Sequence, residues 1–388
     1  MENSFIFDIP TKLRFGSGAL NSLHKMGLSG KTALIVITNG KSTQRNGYLA
    51  RVEELLDKIG IRYIVYDRVT ANPRLENVNE GAALARENGC DLIVGLGGGS
   101  AMDCAKAIAL AAVNEGDFWD YAAGKTGKRK PFTQKPLPMV AITTTAGTGS
   151  EIDPWFVITK TETNEKSGMG YPPYSYPTFA IVDPDLMMTV PAKLTAYQGF
   201  DALFHATESV INRFENTFAE MFALQAVSYV GKYLPGAVAD GGDKEARTYM
   251  AMANTLAGFY MNCTSEHSLE HELSAFHPEL PHGAGLIMIA RAYYGIMADS
   301  HACDRQMVKL AKALGKENAR SARDFVDALD LLMKACGVDE LKMSDYGITS
   351  EEFPEMVKSA RAMGGLFAAD PVTLSDEQLL KIYQESYR

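Results

Sequence analysis

Four of the seven histidines, His267, His271, His277 and His282, fall within 16 residues, and a fifth, His205, stands four positions after Asp201. Residues i and i+4 share a helix face, so Asp201 and His205 in DALFHATE can grip one ion, as can His267 and His271 in HSLEH. Three imidazoles and a carboxylate suit a first-row divalent metal such as Fe(II) or Zn(II) and leave room for a substrate oxygen. The ligands alone do not choose between those metals. A single i,i+4 pair can be accidental, and a lone histidine is usually a solvated surface residue, which is how His24 and His301 are read. The five cysteines, Cys90, Cys104, Cys263, Cys303 and Cys336, are scattered and form no CxxC pair. They read as reduced, small hydrophobes rather than ligands.

A second chemical signal lies in DLIVGLGGGSAMDCAKAIALAAVN, Asp91–Asn114. An apolar strand leads into Gly97, Gly98, Gly99 and Ser100, and then into an apolar-periodic helix. Such a turn offers unpaired amides at the positive end of a helix, and its missing side chains let a diphosphate approach. It is not the G-x-G-x-x-G fingerprint, because Ser100 takes the place of that pattern's third glycine counted from Gly95. The plain alternative is a tight turn capped by Ser100. A second turn, Thr143–Glu151 (TTTAGTGSE), follows another strand and offers hydroxyls and amides at the same sheet edge. The segment Ile37–Gly47 (ITNGKSTQRNG) ends the first strand candidate and contains no Asp or Glu. An acidic residue there would favour NAD, whereas the amides, hydroxyl and ammonium of Asn39, Gly40, Lys41 and Ser42 suit a 2′-phosphate. NADP(H) is therefore expected over NAD(H), against the plainer reading of a solvated loop.

The elements that must position these groups follow from periodicity. Strand candidates are Lys31–Thr38, Ile61–Val69, Asp91–Leu96, Pro138–Thr144 and Thr178–Val182, with helices at Tyr48–Ile59 and Leu75–Asn88 between the early ones. Alternation of this kind predicts βαβ units around a parallel sheet, whose ligands sit beyond the carboxyl ends of the strands. From about Pro191 the strand pattern stops, and Ala196–Phe214, Phe218–Leu234 and Lys244–Met261 read as helices. An α/β domain over 1–185 and an all-helical domain over 186–388 are expected, joined near Asp183–Pro191, where Pro184 and Pro191 punctuate the chain. Length alone favours two cores, since 388 residues exceed what one usually serves. With 46% apolar and 22% charged residues the composition is that of a globular enzyme. A net charge of -9 argues against a nucleic-acid partner. The start MENSFIFDIPTKL shows no leader pattern and no long apolar run occurs, so the reading is cytoplasmic, with no membrane partner.

These residues resemble the iron-containing, or group III, alcohol dehydrogenases. The likeness runs through PTKLRFGSGAL, GGGSAMDCAK, TTTAGTGSE, AIVDPDL, DALFHATE, HSLEHELSAFHPELPHG and DPVTLSDEQLLKIY, and so covers nearly the whole chain. It implies a dehydroquinate synthase-like architecture, with a dinucleotide-binding α/β domain, an all-α metal-binding domain and a homodimer. It places metal ligands on Asp201, His205, His267 and His282, the last by its Pro-His-Gly context. His271 then falls beside the nicotinamide as the candidate proton relay. Gly98, Gly99 and Ser100 match the pyrophosphate turn and Asp103 its acidic companion. Thr144, Thr145 and Thr148 match the second cofactor loop, and Asn72 and Lys166 further cofactor contacts. Phe200 is bulkier than the resemblance leads one to expect, and is either a wall of the substrate pocket or core.

The function implied is a metal-dependent, NAD(P)-linked alcohol dehydrogenase or aldehyde reductase acting on small primary alcohols and aldehydes, its ion serving as Lewis acid to the substrate oxygen. One rival is a dehydroquinate synthase-like lyase. Its acidic substrate would need a basic pocket, and Arg291 is the only Lys or Arg between Asn262 and Asp304. Others are a glycerol dehydrogenase-like polyol oxidoreductase and a non-catalytic nucleotide binder, though decay of function would not spare four ligands together.

Overall fold

In the computed structural model residues 4–388 are described; Met1–Asn3, the first residues of the start read above as leaderless, lie outside the described residues. The chain divides into two compact units, one formed by 8–145 and 149–188, the other by 4–7, 146–148 and 189–388.

The first unit contains strands β1 (Lys12–Phe15), β2 (Thr32–Thr38), β3 (Arg62–Val69), β4 (Leu92–Gly97), β5 (Met139–Thr143), β6 (Trp155–Lys160), β7 (Glu165–Gly170) and β8 (Phe179–Val182). Its helices are α1 (Ser42–Arg45), α2 (Tyr48–Asp57), α3 (Leu75–Glu87) and α4 (Gly99–Ala111). Six strands form a parallel sheet in the order β1-β8-β5-β4-β2-β3. Between its terminal threonines the run TALIVIT is apolar because both faces of β2 are covered. Leu34 and Val36 join a core with Ile93, Ile108 and Phe156 on one face, while Ala33, Ile35 and Ile37 join Val52, Val94 and Ile142 on the other. Strand order reverses at β2, which has β3 on one side and β4 on the other. Such a reversal opens a crevice beyond the strand ends, and here the turns after β2 and β4 flank it.

Two elements escaped the sequence reading. The edge strand β1 has only four residues. The antiparallel hairpin β6–β7 turns through Asn164 in a left-handed conformation (φ 48°), and β7 reads EKSGMG, whose Glu, Lys and glycines carry no strand signal.

The second unit is helical, with α5 (Ala192–Ile211), α6 (Thr217–Ala239), α7 (Lys244–Gly258), α8 (Ser265–Phe276), α9 (His282–Ser300), α10 (Asp304–Ala313), α11 (Arg323–Ala335), α12 (Phe353–Met363) and α13 (Asp376–Ser386). Helix α6 runs through Pro235 to Ala239, five residues beyond the expected end at Leu234, because packing against α5 and α7 outweighs the missing amide. Phe200 is fully buried with its ring 5.9 Å from that of Phe204, which settles it as core. No helix of the described residues is long and apolar enough to cross a membrane.

Candidate active site

The helical unit gathers the histidine cluster. Asp201 and His205 lie one turn apart on α5, His267 and His271 one turn apart on α8, and His282 opens α9. Gly283 explains how α9 comes so close to α5: a Cβ there would stand 2.2 Å from the Tyr197 carbonyl oxygen, so only glycine admits the contact. Asp201 Oδ1 is the centre of the arrangement. It lies 3.6 Å from His205 Nδ1, 3.7 Å from His267 Nε2 and 3.5 Å from His282 Nε2. Asp201 Oδ1 and His267 Nε2 are buried without a hydrogen-bond partner.

Carboxylates fix two of the rings from behind. Glu208 Oε2 accepts from His267 Nδ1, and Glu270 Oε2 from His282 Nδ1. A carboxylate only accepts, so each Nδ1 carries the hydrogen, and in the neutral ring Nε2 is left with its lone pair on the side of Asp201. Glu208 is itself held by the Thr264 hydroxyl at 2.8 Å and the His267 amide at 3.3 Å. Sequence reading missed both glutamates. Glu208 lies three residues after His205 and Glu270 three after His267, a spacing that was legible although its meaning was not.

Electrostatics follow from this packing. Burial would raise the Asp201 carboxyl, but the surrounding imidazoles of His205, His267 and His282 outweigh it and hold it well below the usual carboxylate range. Burial holds the His205 ring down to about 4, so this imidazole is neutral. Burial, with Glu208 adding like charge, raises Glu266, which accepts from the Tyr294 hydroxyl at 2.5 Å. Three imidazoles lie within ion-pair distance of Asp201 among the described residues.

A divalent cation fits these donors. Ligand atoms bound at about 2.1 Å around a tetrahedral ion stand about 3.4 Å apart, close to the separations around Asp201 Oδ1. Carboxylates behind ligating imidazoles are the usual support of such an ion. The donor atoms of Asp201, His267 and His282 all lie within 4.8 Å of one another. His205 is not in that set: its ring stacks on His267 at 4.4 Å, and its Nδ1 also lies 3.3 Å from the Gly147 carbonyl oxygen. His271 lies outside the Asp201 set, its ring 6.4 Å from His267 and 5.6 Å from His282, but one of its nitrogens lies within 4.8 Å of ligand atoms of Glu270 and His282. His277, at the end of α8, turns away to Glu352 at 3.1 Å.

In the first unit the glycine turn forms as expected. Helix α4 starts at Gly99 with Gly98 as N-cap and no side-chain cap, so no side chain claims its first amides. Gly98 lies against the second turn, where a Cβ would come within 2.8 Å of Thr145 Cγ2. Thr144 N–H donates to the Gly97 carbonyl at 2.9 Å, tying the two turns together. Thr148 belongs with the helical unit. Asp103, expected beside the pyrophosphate turn, is engaged within the protein. Its oxygens accept from the Ser150 hydroxyl at 2.6 Å and the Val157 amide at 2.9 Å, which makes it a clamp between α4, the second turn and β6. Burial, partly offset by Lys106, raises its carboxyl. Lys166 and Asn72 meet, Lys166 Nζ donating to Asn72 Oδ1 at 3.2 Å. After β2, Asn39, Gly40 and Ser42 form the turn with Lys41 in a left-handed conformation (φ 61°). Lys41 Nζ pairs with Asp67 at 3.2 Å, so the acid absent from the Ile37–Gly47 segment arrives from β3.

Comparison with known proteins adds independent support. Residues 10–184 match the family model of iron-containing alcohol dehydrogenases, and residues 195–387 that of the C-terminal part of the Fe-containing alcohol dehydrogenase family. The long-chain primary alcohol dehydrogenase of Thermoanaerobacter ethanolicus is 32% identical over 384 residues, covering 96% of this chain and 95% of that protein. The choline dehydrogenase of Bacillus subtilis is 36% identical over 396 residues, covering 100% and 96%. An archaeal halo-thermophilic alcohol dehydrogenase from a Red Sea brine pool superposes with a TM-score of 0.94 at 33% identity, with both chains covered in full. With its parallel-sheet glycine turn, its helical imidazole–carboxylate cluster and these matches across both halves, the chain belongs to the iron-containing alcohol dehydrogenase family and is an alcohol oxidoreductase linked to a nicotinamide cofactor.

Proposed function

We propose that this protein interconverts small primary alcohols and aldehydes, using Fe(II) held by Asp201, His205, His267 and His282 and preferring NADP(H) as hydride carrier. The observation that supports it most is the set of Asp201, His267 and His282, with both Nδ1 atoms secured by glutamates and both Nε2 atoms facing one carboxylate oxygen. Relatives whose names state a substrate act on 1,3-propanediol, on butanol or on choline, all primary alcohols. When bound, the ion supplies Lewis acidity toward the substrate oxygen and the nicotinamide exchanges hydride with its carbon.

The chain's own residues do the rest. Amides of Gly98, Gly99 and Ser100, with Gly97 completing the turn, take the diphosphate, and Thr144, Thr145 and Thr148 border it. Asn72 and Lys166 act as a pair toward the cofactor, so each positions the other. Glu208 and Glu270 keep the two imidazoles in the donor tautomer. His271, half-buried outside the Asp201 set, passes a proton between the reacting oxygen and solvent. Zn(II) suits the same donors, and the family expectation of a homodimer stands beside these roles for sedimentation to read.

NADP preference rests on the turn Asn39–Ser42, and the Lys41–Asp67 pair qualifies it: a 2′-phosphate must compete with that carboxylate for the ammonium. The test of the whole reading follows absorbance near the reduced-nicotinamide band while metal-reconstituted protein meets short aldehydes and alcohols with both cofactors. Turnover that needs metal supports it; metal-independent turnover would overturn it.

A further inference from the structure

Cys263, set aside in the sequence as a small hydrophobe, does not lie in a plain apolar core. One ring nitrogen of His205, one of His267 and Cys263 Sγ all stand within 4.8 Å of one another. That is a second donor set beside Asp201, His267 and His282, and the two share His267. It is also the set that takes in His205, the ring left outside the first. A cysteine near an imidazole would mean little by itself. Here His267 is 3% exposed, and its Nε2 is buried with no hydrogen-bond partner.

The position of Cys263 is fixed before any ion arrives. It lies in the short link between α7 and α8, and the link is bound to α5 on both sides of the cysteine. The Asn262 amide donates to Ser209 Oγ at 3.2 Å, Asn212 Nδ2 donates to the Asn262 carbonyl at 3.0 Å, and the Thr264 hydroxyl donates to Glu208 Oε1 at 2.8 Å. Ser209 and Glu208 sit on the helix that carries Asp201 and His205, and Asn212 caps its C-terminal end. Holding a side chain this way removes the ordering cost that a ligand on a free loop would meet.

We propose that Cys263 is an alternative metal donor of this centre, forming with His205 and His267 a nitrogen–nitrogen–sulfur set that takes Zn(II) or Co(II) as a thiolate complex. Binding breaks the S–H bond and releases its proton to solvent while the sulfur keeps the electron pair that forms the metal bond; no redox step is involved. Because His267, and in the proposed iron centre His205 too, serves both arrangements, one ion occupies one of them at a time. The oxygen-bearing set suits the harder Fe(II), and the thiolate set the softer Zn(II). Cys263 thereby sets which metal the chain retains when both are offered. This inference rests on the proposed metal centre.

The experiment loads the full-length protein with cobalt alone, measures cobalt per chain, and records the near-ultraviolet spectrum, where a sulfur-to-cobalt charge-transfer band reports thiolate ligation. One cobalt per chain with that band in the unaltered protein is expected, as is loss of the band in Cys263→Ser and in Cys263→Ala. The four other cysteines remain in these variants as internal controls. Near-ultraviolet circular dichroism of the cobalt-free proteins verifies that both variants are folded. In zinc–iron competition, the ratio of retained zinc to iron should fall on the order of tenfold in Cys263→Ala, within the range seen when support of a metal site is removed. Bound cobalt without the band, or a band that survives both substitutions, overturns the Cys263 assignment and leaves the metal centre standing. Failure to bind cobalt at all overturns both.

Discussion

At the scale of single residues, what distinguishes the cluster is its excess of carboxylate. Asp201, Glu208 and Glu270 are buried around His205, His267 and His282, each lying against one of these imidazoles. Such a group is stable when a cation completes it, so metal content is the primary readout. His267→Ala should lose metal and turnover together; full activity in a metal-free variant would refute the ligand assignment. His271→Ala should keep its metal and lose rate, since its ring lies outside the Asp201 set. An empty His271→Ala beside a full His282→Ala would exchange their roles. Glu208→Gln removes the acceptor that orients His267, and metal affinity should drop roughly 10–100-fold with the fold intact, as titration with a competing chelator would measure.

At the scale of elements, two contacts aim these residues. Gly283 lets the first turn of α9 meet α5, and Gly283→Ala would drive a Cβ into the Tyr197 backbone oxygen. Its cost should be about 1–3 kcal/mol, with metal content falling because His282 shifts with the helix end. Unchanged metal content would show that α9 can be displaced without moving its first residue. The second contact is at the start of α8, where Asp370 accepts from the Ser265 amide at 2.8 Å and the Tyr293 hydroxyl at 3.2 Å. Burial pushes this carboxyl up to about 6, above the ordinary 3.8, despite those hydrogen bonds. A carboxyl raised in the folded state favours folding at low pH, and that contribution is lost as pH climbs through the folded value. Thermal stability of the unaltered protein relative to Asp370→Asn should therefore decline between about pH 4 and pH 6, by on the order of 2–3 kcal/mol, and be level above. A flat difference across that range would mean that Asp370 is ionised throughout.

At the scale of the whole molecule, the glycine turn and the histidine cluster belong to separate compact units. Chelation should abolish turnover while dinucleotide binding, followed by fluorescence, persists; joint loss of both would show that the units are not independent in binding. Cofactor choice is set in the first unit. The KM for NADPH should be below that for NADH, and the advantage should shrink in Lys41→Ala by about 1 kcal/mol, a modest figure because the ammonium is exposed. Asp67→Asn should widen it by freeing Lys41. Equal use of the two cofactors by the unaltered protein would dismiss the turn as a reader of the 2′-phosphate.

Much of this was written along the chain. Strand signals gave β2, β3, β4, β5 and β8 to within a residue or so; β2, β4, β5 and β8 are buried on both faces and leave an apolar run, while the edge strand β3 was marked by its β-branched and aromatic residues. Helical i,i+4 spacing paired Asp201 with His205, and the glycine run marked the start of α4. The structure alone decided what depends on distant contacts. The hairpin β6–β7 is held by cross-strand pairing rather than by its own residues' preferences, and Lys166 reaches Asn72 only because that hairpin forms. Asp67 meets Lys41 across two neighbouring strands, which no local window can register. Glu208, Glu270 and Cys263 became part of the site only when α5, α8 and α9 were brought together. Local sequence determines which way a side chain leaves its helix or strand; which partner it meets there depends on packing between elements tens of residues apart.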